Sequence, residues 1–121
     1  MSKRILVVED QEDSRRILRD LLTSADYEIM EAVNGEEALT AAAKQRPDLI
    51  LMDIHLPIMD GYEATRRIKA DPTLTHVPVI AVTSYALSGD KAKARAAGCD
   101  DFVAKPYSPR QLLAKIRQLL R

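Results

Sequence analysis

Leu49-Ile50-Leu51-Met52-Asp53-Ile54-His55-Leu56-Pro57-Ile58-Met59-Asp60-Gly61 is the stretch on which the fold turns. Its first four residues are continuously apolar and too few for a helix, which predicts a short strand buried on both faces. The strand stops at Asp53, and a proline- and glycine-bearing loop follows. An unpaired aspartate sealed in a core is expensive, whereas one at a strand end, facing a crevice, presents a reactive oxygen. The pattern recurs three times. Ile5-Leu6-Val7-Val8 runs into Glu9-Asp10, Val79-Ile80-Ala81-Val82 into Thr83-Ser84, and Phe102-Val103-Ala104 into Lys105. Four strand ends thus offer acid, acid, hydroxyl and cation, a set suited to one site.

Outward from that stretch, strands are predicted at Arg4–Val8, Tyr27–Ala32, Leu49–Met52, Val77–Val82 and Asp101–Ala104, with an amphipathic helix after each. The first helix turns Ile17, Leu18, Leu21 and Leu22 to one face and Arg15, Arg16 and Arg19 to the other; the last carries Leu112, Leu113, Ile116, Leu119 and Leu120. Asn34 with Glu37 and Asp60 with Glu63 mark helix starts, as does Ser108-Pro109-Arg110-Gln111, with proline at the first helical position. Ser88-Gly89-Asp90 opens the fourth helix; Pro47 and Gly98 follow helix ends. Strict strand–helix alternation predicts an α/β fold, a doubly wound five-stranded parallel sheet of flavodoxin-like (βα)5 type. With strand order 2-1-3-4-5, the order reverses between strands one and three. Ligands bind such sheets at that reversal, outside the carboxyl ends of the strands, where Glu9-Asp10 and Asp53 fall.

The bulk figures set limits. At 121 residues and 46% apolar, the chain is expected to form a single domain over residues 1–121. Eighteen basic and eighteen acidic residues cancel, so no general basic field points to nucleic acid. No targeting peptide and no membrane-spanning run is visible. The single cysteine, Cys99, rules out an internal disulfide, suits a reducing cytoplasm and is read as a packing residue.

Glu9, Asp10 and Asp53 would crowd three carboxylates against the one ammonium of Lys105. Such a group cannot stay fully ionised without help. Hard oxygen donors without a histidine or cysteine cluster favour magnesium, which needs only one or two carboxylates. A phosphoryl group on Asp53 would find magnesium for one oxygen, Lys105 for another, and the Thr83 hydroxyl with a nearby backbone N–H for the third. These are parts for phosphoryl transfer to an aspartate.

In order and spacing, Glu9-Asp10, Asp53, the run Leu51-Met52-Asp53 to Pro57, Met59-Asp60-Gly61, Thr83 and Lys105-Pro106 resemble the receiver domain of two-component response regulators. The similarity covers the whole chain and in detail is most like single-domain DivK-type regulators and the receivers of hybrid kinases. The resemblance implies that Asp53 accepts a phosphoryl group from a histidine kinase or a histidine phosphotransfer protein. It implies that Asp10, Asp53 and the backbone carbonyl of His55 hold Mg2+, with Glu9 acting through water or from behind, and that Thr83 and Phe102 form a switch. It also implies a cis bond at Lys105-Pro106, which would turn the chain and aim Lys105 at Asp53.

One alternative is a haloacid-dehalogenase-like Mg2+-dependent phosphatase with an aspartate nucleophile, although its second carboxylate position is occupied by His55. A nucleotide-binding flavodoxin-like domain is disfavoured because Glu9-Asp10-Gln11-Glu12-Asp13 would repel phosphate. With no output domain expected after the fifth helix, the signal should leave through the surface made by the fourth helix, fifth strand and fifth helix. Tyr85, Tyr107, Lys91, Lys93 and Arg95 lie on or near that face, and a downstream protein is the target. Tyr85 is expected to shield the phosphate from water, and Phe102, which lacks a hydroxyl, to be only shallowly biased between its two positions. A monomer or weak dimer is expected. Arg15, Arg16 and Arg19 are expected on the phosphate-receiving surface.

Overall fold

The computed structural model describes residues 2–83 and 89–120. Five strands, β1 (Arg4–Val8), β2 (Glu28–Ala32), β3 (Leu49–Asp53), β4 (Val79–Thr83) and β5 (Asp101–Ala104), alternate with five helices. The helices are α1 (Glu12–Ser24), α2 (Gly35–Lys44), α3 (Gly61–Ala70), α4 (Asp90–Ala97) and α5 (Pro109–Leu119). The sheet is wholly parallel in the order β2-β1-β3-β4-β5.

The period-two alternation of each strand divides the core. Ile5, Val7, Leu49, Leu51 and Ile80 pack with Leu18 and Leu22 of α1 and Leu112 and Ile116 of α5. Leu6, Val8, Ile50 and Met52 point to the other face, against Ala38 and Ala42 of α2 and Ala64 and Ile68 of α3. A smaller cluster of Ile54, Ala81 and Ala94 seats α4, with Tyr62, Cys99 and Phe102 packed around it.

The helix starts follow the capping chemistry. Asn34, Asp60 and Ser108 accept from the backbone N–H of Glu37, Glu63 and Gln111. Glu37 reaches back one residue beyond the cap, to the Val33 N–H at 3.1 Å. Ser88 lies outside the described residues, and Gly89 stands immediately before α4.

Two strand starts differ from expectation. β2 begins at Glu28 because the Tyr27 N–H is used by α1, donating to the Leu22 carbonyl while Asp26 donates to Thr23. Asp26 supplies the left-handed residue of this cap, at φ 70°, a role usually taken by glycine or asparagine. β4 begins at Val79 because the preceding turn holds Val77, whose N–H donates to Leu74. Lys69 closes this end of the sheet: its Nζ lies 2.8 Å from the Val77 carbonyl, 3.4 Å from that of Thr75 and 2.9 Å from Asp100 Oδ2. The same Asp100 oxygen accepts from the Val79 N–H.

The loop after Asp53 contains a tight turn. The Met59 N–H donates to the Pro57 carbonyl at 2.7 Å, and Ile58 between them sits at φ 69°. This is a three-residue turn in the left-handed region, where a β-branched side chain is strained. Ile58 is 75% exposed, so little burial offsets that strain. Left-handed geometry disfavours an L-residue by about 1–2 kcal/mol, and glycine returns part of this as unfolded-chain entropy. Ile58→Gly is expected to stabilise the protein by about 1 kcal/mol, read as a higher urea midpoint at constant m-value. A lower midpoint would show that the side chain contributes more than its backbone costs.

Candidate functional site

The carboxyl ends of β1, β3, β4 and β5 converge. Asp53 is the last residue of β3, Thr83 the last of β4, and Glu9-Asp10 follow β1. Glu9, Asp53 and Thr83 are buried. The turn after β5 carries Lys105, and its bond to Pro106 is cis. The Lys105 N–H donates to the Thr83 carbonyl at 2.7 Å, tying the hydroxyl-bearing strand end to the cationic one.

Lys105 bridges the acids unequally. Its Nζ stands 2.7 Å from Glu9 Oε1 and 3.5 Å from Asp53 Oδ2. Burial works against the Lys105 charge, but the hydrogen bond to Glu9 and the charge of Asp53 outweigh it and hold the ammonium above its usual range. The other Glu9 oxygen accepts the Gln11 N–H at 3.0 Å, so both oxygens of this acid are engaged. Asp53 Oδ1 accepts the His55 N–H at 3.1 Å.

Glu9, Asp10 and Asp53 can each offer an oxygen such that all three lie within 4.8 Å of one another. Burial, followed by the hydrogen bond and charge of Glu9, raises the Asp10 carboxyl above its ordinary range. One lysine does not relieve this crowding, and an added hard cation fits the oxygen donor set.

Other candidate residues take their places around this centre. The His55 side chain is exposed, as its loop position suggests. Phe102 is half-buried opposite Ala81 of β4 and lines a cavity of about 50 Å³ with Lys91, Ala94, Arg95 and Cys99. Burial raises the Cys99 thiol, and its Sγ meets the Thr65 hydroxyl at 3.8 Å, which suits a packing role. Burial also raises the Tyr107 hydroxyl, beside the site. Lys91, Lys93 and Arg95 are exposed along α4. Ser84 and Tyr85 lie outside the described residues.

The three arginines of α1 differ from a free basic row. Arg15 and Arg19 both close on Glu31 of β2, at 3.0 and 2.9 Å, and Arg16 pairs with Asp13 at 3.3 Å. Arg15 also donates to the Glu9 carbonyl at 3.0 Å. Helical periodicity assigned it to the outer face. It stands at the edge of that face, and its long side chain reaches back over the end of β1.

A doubly wound sheet with an acidic pair, a strand-end aspartate, a threonine and a lysine–cis-proline turn at its switch point defines a class. The chain belongs to the response regulator receiver domain family, whose model matches residues 5–117. It is 43% identical to the polar-differentiation response regulator DivK of Brucella anthropi over 120 residues, covering 99% of this chain and 98% of that one. A putative response regulator from Chloroflexus aurantiacus superposes with a TM-score of 0.96 at 31% identity, covering 99% and 98% of the two chains. The receiver domain of the Pseudomonas aeruginosa sensor histidine kinase PA1611, with a magnesium ion in its active site cleft, gives a TM-score of 0.93 at 37% identity, again covering 99% and 98%.

The protein is accordingly a phosphorylation-dependent signalling switch of the two-component type. The phosphatase alternative finds no support in these relationships, and His55 leaves it without the second carboxylate it needs. No helix among the described residues is long and apolar enough to cross a membrane.

Proposed function

We propose that Asp53 is the phosphoacceptor, taking a phosphoryl group from a phosphohistidine on a histidine kinase or phosphotransfer protein. The observation that carries this reading is the convergence of Glu9, Asp10 and Asp53 within 4.8 Å, with Lys105 bridging the two buried acids. An Asp53 carboxylate oxygen attacks phosphorus, the P–N bond breaks, and the histidine leaves. In this reading Lys105 neutralises one phosphoryl oxygen and Thr83 donates to another, while the His55 N–H steadies the carboxylate. Asp10, Asp53 and the His55 backbone carbonyl are the residues for Mg2+. Glu9 acts from behind, consistent with its engagement by Lys105 and Gln11. When bound, the metal neutralises the crowded acids and the developing phosphoryl charge. The domain catalyses only its own phosphorylation and dephosphorylation.

The reading extends to residues 1–121 as one cytoplasmic receiver, a monomer or weak dimer, acting on a protein target without direct nucleic-acid or membrane contact. Output runs through Thr83 and Phe102 to the face made by α4, β5 and α5. Phosphate shifts that equilibrium only by its differential affinity for the two states. The half-buried setting of Phe102 supports a shallow bias.

Metal binding is the direct test. Asp10→Ala is expected to weaken magnesium about tenfold or more, and Glu9→Ala less, in an amide chemical-shift titration. Asp10→Asn is expected to raise the melting temperature in chelator, because a carboxyl raised on folding destabilises the ionised state above that raised pKa. Magnesium affinity unchanged in Asp10→Ala would remove Asp10 from the ligand set.

A further inference from the structure

The acidic pair has a support that the phosphotransfer chemistry does not use. The peptide joining Glu9 to Asp10 is the first beyond β1. Its preceding N–H still belongs to the sheet, donating to the Ala32 carbonyl at 3.0 Å, but its carbonyl has left the ladder. Arg15, from the first turns of α1, donates Nη1 to that carbonyl at 3.0 Å. Its Nε is held by Glu31 Oε1 at 3.0 Å. Glu31 is in turn gripped by Arg19, Nε to Oε2 at 3.0 Å and Nη2 to Oε1 at 2.9 Å. The Arg15 side chain is only 15% exposed, and its bond to the Glu9 carbonyl is part-buried. These two arginines, Arg19 first, with burial opposing, hold the Glu31 carboxyl below its usual range.

We propose that Arg15 is a positioning residue that fixes the Glu9–Asp10 peptide so that Asp10 stays gathered with Asp53 for metal binding, and that Glu31 and Arg19 hold Arg15 in place. This rests on the reading of Asp10 as a magnesium ligand. Three like charges within 4.8 Å push one another apart, and the free end of a strand is where the chain yields. A planar guanidinium pinned at one nitrogen and bonded through another resists that movement at the main chain, where no acid of the cluster can compete for it. The same cation adds positive potential at the main chain of the acidic pair.

The test is a magnesium titration of the chain followed by amide chemical shifts. Arg15→Met is expected to raise the magnesium Kd about tenfold, the scale of losing a residue that supports a metal ligand. Arg15→Lys, which keeps a donor and charge but not the fork, is expected to fall between it and wild type. Glu31→Gln leaves every residue of the site in place, weakens the anchor that Arg15 shares with Arg19, and is expected to weaken magnesium in the same direction. It carries the test if Arg15→Met does not fold. Arg16→Met removes a cation paired with Asp13 and is expected to leave the Kd unchanged, which separates positioning from general loss of charge on α1. A normal wild-type titration that Arg15→Met and Glu31→Gln both leave within about twofold overturns the proposal alone. A wild-type chain without saturable magnesium binding overturns the reading of the site and this inference with it.

Discussion

Asp53→Asn, incubated with magnesium and a small phosphodonor, is expected to gain no acid-labile phosphate while wild type is labelled. The substitution keeps the shape of the side chain and an oxygen able to accept the His55 N–H, now at 3.1 Å from Asp53 Oδ1. What it removes is the anionic oxygen proposed to attack phosphorus, and an amide is no substitute nucleophile. The fold should survive. Lys105 keeps its shorter contact, 2.7 Å to Glu9, and the cluster loses one of its mutually repelling charges. Labelling is therefore expected to vanish without a fall in melting temperature, and that pairing is what separates loss of the acceptor from loss of structure. Wild-type levels of acid-labile phosphate in Asp53→Asn would mean that another residue is the acceptor.

Gly61→Ala is expected to damage both stability and phosphate uptake. Gly61 opens α3 directly against the end of β3. A Cβ there would collide with the Asp53 carbonyl oxygen and lie 2.9 Å from Ile54 Cα and 3.0 Å from the Asp53 carbonyl carbon. All three are main-chain atoms that cannot rotate aside. Alanine favours a helix interior by about 1 kcal/mol, but overpacking of this kind costs about 1–3 kcal/mol. Relief by moving α3 would also break the Gly61 N–H bond to the Ile54 carbonyl, 2.9 Å long. The clash therefore wins, and it lands on the peptide that joins the proposed acceptor, Asp53, to Ile54. The urea midpoint should fall, and the amide shifts of Asp53 and Ile54 should move more than those of the α1–α5 core. A variant as stable as wild type with unmoved Asp53 shifts would show that α3 has room to withdraw.

Much of this molecule was legible because its signals are local. Continuous apolar runs such as Leu49–Met52 mark strands buried on both faces, and strict alternation with helices leaves few topologies. Asn34, Asp60 and Ser108 act within three residues of themselves. That Glu9, Asp10, Asp53 and Lys105 would come together was legible because strand ends in such a sheet meet at one edge. What stayed hidden depends on side-chain reach and on backbone exceptions. Helical spacing put Arg15 beside Arg16 and Arg19, but a residue at the margin of an amphipathic face can turn either way, and Glu31 and the Glu9 carbonyl decide which. Asp26 and Ile58 occupy left-handed positions without the glycine that would have flagged them. The preference of Lys105 for Glu9 over Asp53 depends on how the turn after β5 seats against β1, contacts far apart in the chain.

The Lys69 cluster gives β4 and β5 the mechanics of beams built into a wall. One ammonium grips the carbonyls of Thr75 and Val77 before β4 and the carboxylate of Asp100 before β5, and that carboxylate also takes the Val79 N–H. Thr83 and Lys105 ride at the far ends of the same two strands. With the roots clamped together, displacement produced at the tips cannot dissipate by sliding one strand along the other. On the proposed reading of the switch, it would emerge sideways, as a change in the contour of the helices laid across them.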